Sequence, residues 1–222
     1  MNSHCVMDTE KLPNDMQVTQ IGSVRFVQIL QFLSEEDRNV LIDDVLVHKD
    51  AFHPPGIPGH YSKDLTSTWL TRKLGKSPAD PCLIDQVCAR LSKRIVAQLP
   101  ALCEALGIEP FTIKKPSINI LSGQNGHYGL PHKDTYSEDM KITVLYYFHN
   151  SHKAFQGGDL ELFESDSSSI SGHKEQPLAT IEHQDNLLLA FACDTYHGVT
   201  EVQGGAESFE RSRFAAISFI RS

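Results

Sequence analysis

Three residues of this sequence have the types and spacing to hold a metal ion. His132 and Asp134 flank Lys133, so on a β-strand their side chains leave the same face. A third donor, His197, lies downstream in Asp194-Thr195-Tyr196-His197-Gly198. Two imidazoles and one carboxylate on one face of an ion leave coordination positions open. That donor set suits non-haem Fe(II) that activates oxygen. His-x-Asp alone is a common accident, so placement has to decide. His132-Lys133-Asp134 follows the turn Ser122-Gly123-Gln124-Asn125-Gly126 at the mouth of a strand, and His197 follows the apolar run 187–191 after a short turn.

The same spacing recurs in His48-Lys49-Asp50, His173-Lys174-Glu175 and His183-Gln184-Asp185. The first lies at a helix end, where residues two apart diverge. The second lies in a polar Ser-rich loop and the third in the turn before Asn186, so each reads as a solvated pair. Among the other histidines, His127 and His149 are the best placed to contact the site or a substrate. Arg213 opens Arg213-Phe214-Ala215-Ala216-Ile217-Ser218-Phe219-Ile220, where strand alternation puts Arg213, Ala215, Ile217 and Phe219 on one face. An arginine pointing into a barrel is expensive unless a carboxylate meets it, and its planar fork suits two-point carboxylate binding. Arg211 shares that parity but lies nearer the turn.

The elements that must position these residues are legible in outline. Residues 1–22 are polar and read as a frayed start, followed by a strand over 24–30. Ser34 and the acidic Glu35-Glu36-Asp37 open a helix that ends near His48. Residues 51–78 carry Pro54-Pro55-Gly56-Ile57-Pro58-Gly59 and the only tryptophan, Trp69, and read as a lid or binding loop or a solvated connection. Asp80-Pro81 caps a second helix, with Ile84, Val87, Cys88, Leu91 and Ile95 on one stripe, interrupted or kinked at Pro100 and ended by Gly107. Beyond residue 110 short strands over 112–113, 117–121, 141–148, 159–163, 178–182, 186–191 and 213–220 alternate with turns, the pattern of a sandwich or jelly roll. Residues 164–175 read as a mobile polar hairpin loop.

Composition narrows the classes further. The 222 residues are 40% hydrophobic and 22% charged, an ordinary globule with a sizeable core. A formal charge of −8 argues against nucleic acid and anionic membrane as partners. No apolar run reaches the length of a membrane span, no secretory pattern opens the chain, and the five cysteines form no Cys-x-x-Cys, so a reducing cytoplasm is expected.

Taken together, His132-x-Asp134…His197…Arg213 resembles the iron(II)- and 2-oxoglutarate-dependent dioxygenases, in particular their prolyl-hydroxylase-like branch. Tyr128 before the first histidine, the run Thr143-Val144-Leu145-Tyr146-Tyr147-Phe148 and the turn Gly157-Gly158-Asp159-Leu160-Glu161-Leu162-Phe163 are similar to features of that branch. The resemblance spans roughly residues 113–220. It implies an α+β, mainly β fold, a double-stranded β-helix (jelly roll, cupin-like) with N-terminal supporting helices. The whole chain, 1–222, would then be one domain, with helical support and a lid loop over 1–110 and the catalytic jelly-roll core over 111–222. It further implies iron ligands His132, Asp134 and His197, and a 2-oxoglutarate site made by Arg213 with Tyr147 (or Tyr146 beside it) and Tyr128. The small hydroxyl residue that such proteins often carry two after the arginine is Ala215 here. A carboxylate at Asp134 implies hydroxylation, because relatives that halogenate carry a small residue there.

The activity expected is hydroxylation of an unactivated C–H bond in an amino acid, a small natural product or a peptidyl residue. Fe(II), 2-oxoglutarate and O2 would be required, with succinate and CO2 as co-products and ascorbate as a reductant. The alternatives are a cupin-like metal enzyme that does not use 2-oxoglutarate, and a non-catalytic jelly-roll binding protein.

Overall fold

A computed structural model of the chain describes residues 16–52, 68–70, 83–114, 116, 118–150 and 152–222. Its strands are β1 (Met16–Ile21), β2 (Val24–Leu30), β3 (Thr68–Leu70), β4 (Ile118–Gly123), β5 (Gly129–His132), β6 (Met140–Phe148), β7 (Leu160–Phe163), β8 (Ala179–Ile181), β9 (Leu187–Ala192), β10 (Tyr196–Val199) and β11 (Arg213–Arg221). Two helices, α1 (Glu35–Val47) and α2 (Leu83–Leu106), precede the main run of strands. A seven-stranded sheet runs β1-β2-β9-β6-β11-β4-β3 and a four-stranded sheet runs β5-β10-β7-β8, with every pairing antiparallel. This is the expected mainly β jelly roll.

The large sheet is covered on both faces, and the central strands therefore read as nearly unbroken apolar runs. On β9, Leu188 and Ala190 join the core under the helices, whereas Leu187, Leu189 and Phe191 face the small sheet. The helix-side core holds Leu41 and Val45 of α1, and Val87, Leu91, Ile95 and Leu102 of α2. The inner core packs Leu145 and Tyr147 of β6 against Leu160 and Leu162 of β7 and Ile181 of β8. Burying each such side chain stabilises the fold by about 1.5–3 kcal/mol. The two helices thus press on one face of the large sheet and leave its other face to line the barrel.

Helix α1 begins as expected, with the Ser34 hydroxyl accepting from the Asp37 N–H (3.1 Å). Helix α2 runs unbroken through Pro100, which lies on its exposed face, where the carbonyl left unbonded can be hydrated. Gly107, at φ +68°, ends it, and the Ile108 N–H reaches back to the Cys103 carbonyl (2.9 Å). Asp80 and Pro81 lie outside the described residues, as do Cys5, Cys82 and most of 51–78. Besides residues 51 and 52, the described part of that segment is β3, whose Trp69 pairs with Leu121 of β4.

Two expectations need correction. Residues 16–21 are not a frayed start but the outer strand of a hairpin, paired with β2 from Met16↔Ile29 to Ile21↔Val24. An edge strand is held by its backbone ladder, so Val18 and Ile21 stay exposed and the polar sequence carries little strand signal. Residues 112–113 form no strand; only Lys114 bridges to Arg221. The hairpin expected over residues 164–175 is present: Ser165 bridges His173, Lys174 pairs with Glu164, and the His173 ring packs between Phe163 and Tyr196 at 5.1 Å from each. Among the described residues no helix is long and apolar enough to cross a membrane. Cys88, Cys103 and Cys193 are free and buried.

Candidate functional site

The two histidines arrive on two four-residue strands of the small sheet, β5 and β10. These pair so that His197 lies directly across from His132, with ring centroids 4.4 Å apart. Such opposed positions on an antiparallel pair bring Cβ atoms to about 4.5–5.5 Å. Asp134 lies just beyond the end of β5, and its N–H bonds to the Cys193 carbonyl (2.9 Å), which holds it beside the two rings. The carboxylate is buried (4% exposed) and receives a hydrogen bond from the Thr143 hydroxyl (2.8 Å).

Both imidazoles are oriented in the same way. The Nδ1 of His132 meets the Leu130 carbonyl at 2.8 Å and that of His197 meets the Thr195 carbonyl at 3.0 Å. The ring edge so engaged leaves Nε2 free to face Asp134, at 3.6 Å from Oδ1 for His132 and 3.3 Å from Oδ2 for His197. Burial alone would raise the Asp134 pKa, but the bonds and charges of the two histidines outweigh it and hold the carboxyl below the usual range. Burial likewise opposes charge on His132, yet Asp134 and the Leu130 carbonyl raise its pKa on balance.

The donor set fits a metal ion by a simple geometric test. One ligand atom from each residue can be chosen so that all lie within 4.8 Å of one another. Adjacent ligands on an octahedral ion with bonds of about 2.1 Å sit about 3 Å apart. The separations of 3.3 and 3.6 Å, one to each carboxylate oxygen of Asp134, lie near that value. This is the one group of such donors among the described residues. The decoys resolve differently. His48 turns back on Asp44 of its own helix, with Nδ1 2.9 Å from the backbone oxygen, and His173 bonds the Lys174 carbonyl. His183, expected to be solvated, is completely buried.

A pocket runs from the trio into the barrel. Apolar walls from Leu121, Leu145, Leu160, Val199, Ala215 and Ile217 lead to Tyr147 and Arg213. Strand parity explains the choice of tyrosine: Tyr147 faces the cavity, whereas Tyr146 faces the helices and donates to Asn186 Oδ1 (2.9 Å). Arg213 is 5% exposed, its guanidinium lies 4.8 Å from the Tyr147 ring centre, and its Nε donates to the Gly158 carbonyl (2.6 Å). Among the described residues no carboxylate lies within ion-pair distance of it. The Tyr147 hydroxyl is also buried, without a hydrogen-bond partner of normal geometry. Burial pushes the pKa of that hydroxyl up and lowers that of Arg213.

In the Gly157-Gly158 turn it is Gly158 that makes room for this arginine, whereas Gly157 lies against the Glu201 carbonyl. Both residues have positive φ (+65° and +70°), and a Cβ on Gly158 would lie 2.6 Å from Arg213 Cδ. Only a glycine lets the chain pass so close to the guanidinium stem.

Tyr128 precedes β5 half-buried and is not among the residues lining the cavity. Neither are His127, whose Nδ1 accepts from the Gln124 N–H (3.0 Å), and His149, which packs against Phe155. Arg211 is exposed. Sequence reasoning missed Thr143 and His183. Thr143 shares the inward parity of Leu145 and Tyr147 on β6, a signal that was there to be read. His183 gave none, because its neighbours Glu182, Gln184 and Asp185 all have the character of a turn.

Known proteins share parts of this sequence and this fold. The family model described as 2OG-Fe(II) oxygenase superfamily matches residues 117–221. An uncharacterized PKHD-type hydroxylase of Synechocystis sp. is 27% identical over 199 residues, which are 87% of this chain and 62% of that protein; the chain thus spans under two thirds of its length. A Trichoplax adhaerens prolyl hydroxylase, solved with a hypoxia inducible factor oxygen degradation domain peptide fragment, superposes with a TM-score of 0.59 at 16% identity, covering 88% of this chain and 83% of that one. A Pseudomonas putida prolyl-4-hydroxylase gives 0.57 at 15% identity, covering 89% and 92%. Residues 117–221 are thus similar in sequence to the 2OG-Fe(II) oxygenase superfamily, and the jelly roll that carries them is similar in fold to the prolyl hydroxylases.

Proposed function

We propose that this chain is an Fe(II)- and 2-oxoglutarate-dependent dioxygenase that hydroxylates an unactivated C–H bond, with 2-oxoglutarate and O2 converted to succinate and CO2. The observation that carries the reading is the shared cavity: the His132, Asp134 and His197 donors open onto the same space as a buried arginine that lacks a carboxylate partner among the described residues. A dicarboxylate supplies that partner. Its far end would meet the Arg213 fork and the Tyr147 hydroxyl, two groups that are otherwise buried without an anion. Its keto-acid end would reach toward the trio, which would hold the iron.

Bound Fe(II) supplies oxygen activation coupled to oxidative decarboxylation of the co-substrate. The chain's own part is orientation and exclusion of water. Thr143 and the two backbone carbonyls fix the donors, and Leu121, Leu145, Leu160 and Ile217 keep the cavity apolar between its polar ends. The substrate class is an amino acid, a small natural product or a peptidyl residue, and ascorbate serves as the reductant that keeps iron ferrous. A cupin-like enzyme without 2-oxoglutarate has no need of Arg213, and a binding protein has no need of the trio.

Anaerobic titration with Fe(II) and 2-oxoglutarate tests this directly. A weak visible charge-transfer band is expected in the wild type, lost in His132→Ala and weakened in Arg213→Ala. Absence of the band from the wild type defeats the proposal.

A further inference from the structure

His183 is fully buried in the turn between β8 and β9 and makes no contribution to the donor set just described. Its surroundings are those of the co-substrate pocket. The ring stacks on Tyr147, with centroids 4.5 Å apart and planes at 23°. Tyr147 is the same ring that carries the Arg213 guanidinium. The Nε2 lies 3.0 Å from the carbonyl of Phe214, the residue after Arg213. Since a carbonyl only accepts, Nε2 carries the proton and Nδ1 is left as an acceptor. That Nδ1 is buried with no partner among the described residues. The His183 N–H donates to Asp159 Oδ1 (2.9 Å), and Asp159 follows Gly158, whose carbonyl takes the Arg213 Nε.

These contacts close a circuit. Arg213 is tied to Gly158, the next residue Asp159 to His183, and His183 to Phe214 beside Arg213. Tyr147 lies against two members of that circuit. An apolar side chain would fill the same space without burying an unpaired acceptor, and orphaned acceptors are costly and rare. A histidine here is therefore poorly explained by packing alone. Its neutral form suits the site, because a second cation beside Arg213 would face repulsion in a buried space. Burial, and after it the Arg213 charge, lowers the His183 pKa well below its ordinary value.

We infer that His183 is a positioning residue of the co-substrate pocket, one that supports the Tyr147 ring and ties it to the Arg213 segment so that hydroxyl and guanidinium meet one carboxylate together. The inference rests on the 2-oxoglutarate reading above. It adds a residue that touches neither the metal donors nor the cavity lining yet sets co-substrate affinity.

The test is a double-mutant cycle read by anaerobic binding. Dissociation constants for 2-oxoglutarate are measured on Fe(II)-loaded wild type, His183→Leu, Tyr147→Phe and the double variant, and the Mn(II) affinity of each metal-free protein is measured separately. His183→Leu is expected to weaken 2-oxoglutarate by about ten-fold or more while Mn(II) affinity stays within two-fold. His183→Phe, which restores a stacked ring, should recover part of the loss. In the double variant the two effects should not add, because the hydroxyl is already misplaced once its support is gone. Fully additive effects, or unchanged 2-oxoglutarate affinity in His183→Leu, would overturn the inference. A matching loss of Mn(II) affinity would do the same, showing a general structural role. If His183→Leu does not fold, His183→Phe and His183→Gln carry the cycle. Failure of the wild type to bind 2-oxoglutarate sinks the functional reading instead, so the two failures are distinct.

Discussion

At the scale of single residues, the site separates into groups chosen for their chemistry and groups chosen to hold them. His132, Asp134, His197 and Arg213 were legible because each is costly where strand parity puts it, and a costly residue asks for a partner. Thr143 is different: threonine is an unremarkable strand residue, and its value lies in a single bond to Asp134 Oδ2 at 2.8 Å. That bond fixes which carboxylate oxygen faces His197. Thr143→Val keeps the shape and deletes the donor. Metal affinity should fall about 10–100-fold, the usual consequence of removing a hydrogen bond behind a ligand. Competition titration with a chelating dye reads this out, and unchanged affinity would show that the carboxylate needs no such support. The Thr143 hydroxyl also lies 3.4 Å from Cys193 Sγ, so valine leaves no second polar atom stranded except a weakly bonding thiol.

At the scale of elements, alternation did most of the sequence's work. It sends Tyr147 inward and Tyr146 to the helices, and it puts Arg213, Ala215, Ile217 and Phe219 on the cavity face of β11. The strands β5 and β10 escaped notice because four residues are too few to show a period, and their order comes from pairing with each other and with β7. Nor could periodicity reveal the fastening of α1 to β9. Asn186 sits at φ +57°, a conformation asparagine tolerates better than most residues. Its Oδ1 accepts from the Leu33 N–H and the Tyr146 hydroxyl, both at 2.9 Å, and its Nδ2 donates to the Leu33 carbonyl at 2.9 Å. Asn186→Ala strands three buried groups at once. A loss of about 2–4 kcal/mol in unfolding free energy is expected from urea denaturation, at the upper end of single-residue effects. A loss under 0.5 kcal/mol would mean that water replaces all three bonds.

At the scale of the whole molecule, buried histidines make stability depend on pH in a way the sequence could not announce. His183 looked like half of a solvated pair with Asp185, yet the chain folds it inward while Asp185 turns to Arg38 at 2.5 Å. Burial, then the neighbouring Arg213 charge, keeps its folded pKa well below that of an exposed imidazole, about 6.5. Between those two values the unfolded chain binds a proton that the folded chain does not, so stability rises with pH through that window and is flat above it. Acidification below about pH 6.5 should therefore cost about 1.4 kcal/mol per pH unit from this group alone until its folded pKa is reached. His127 and His149, whose pKa values burial also lowers, act with the same sign. His132, with a raised pKa, acts with the opposite sign, and Asp134 contributes only at much lower pH. A comparison of His183→Gln with the wild type isolates the one group, because the other titrations are common to both proteins. Between pH 7.5 and 5.5 the metal-free wild type should lose about 1 kcal/mol more unfolding free energy than the variant. Parallel pH profiles for the two proteins would mean that His183 takes up its proton in the folded state, and so that its ring does not stay neutral beside Arg213.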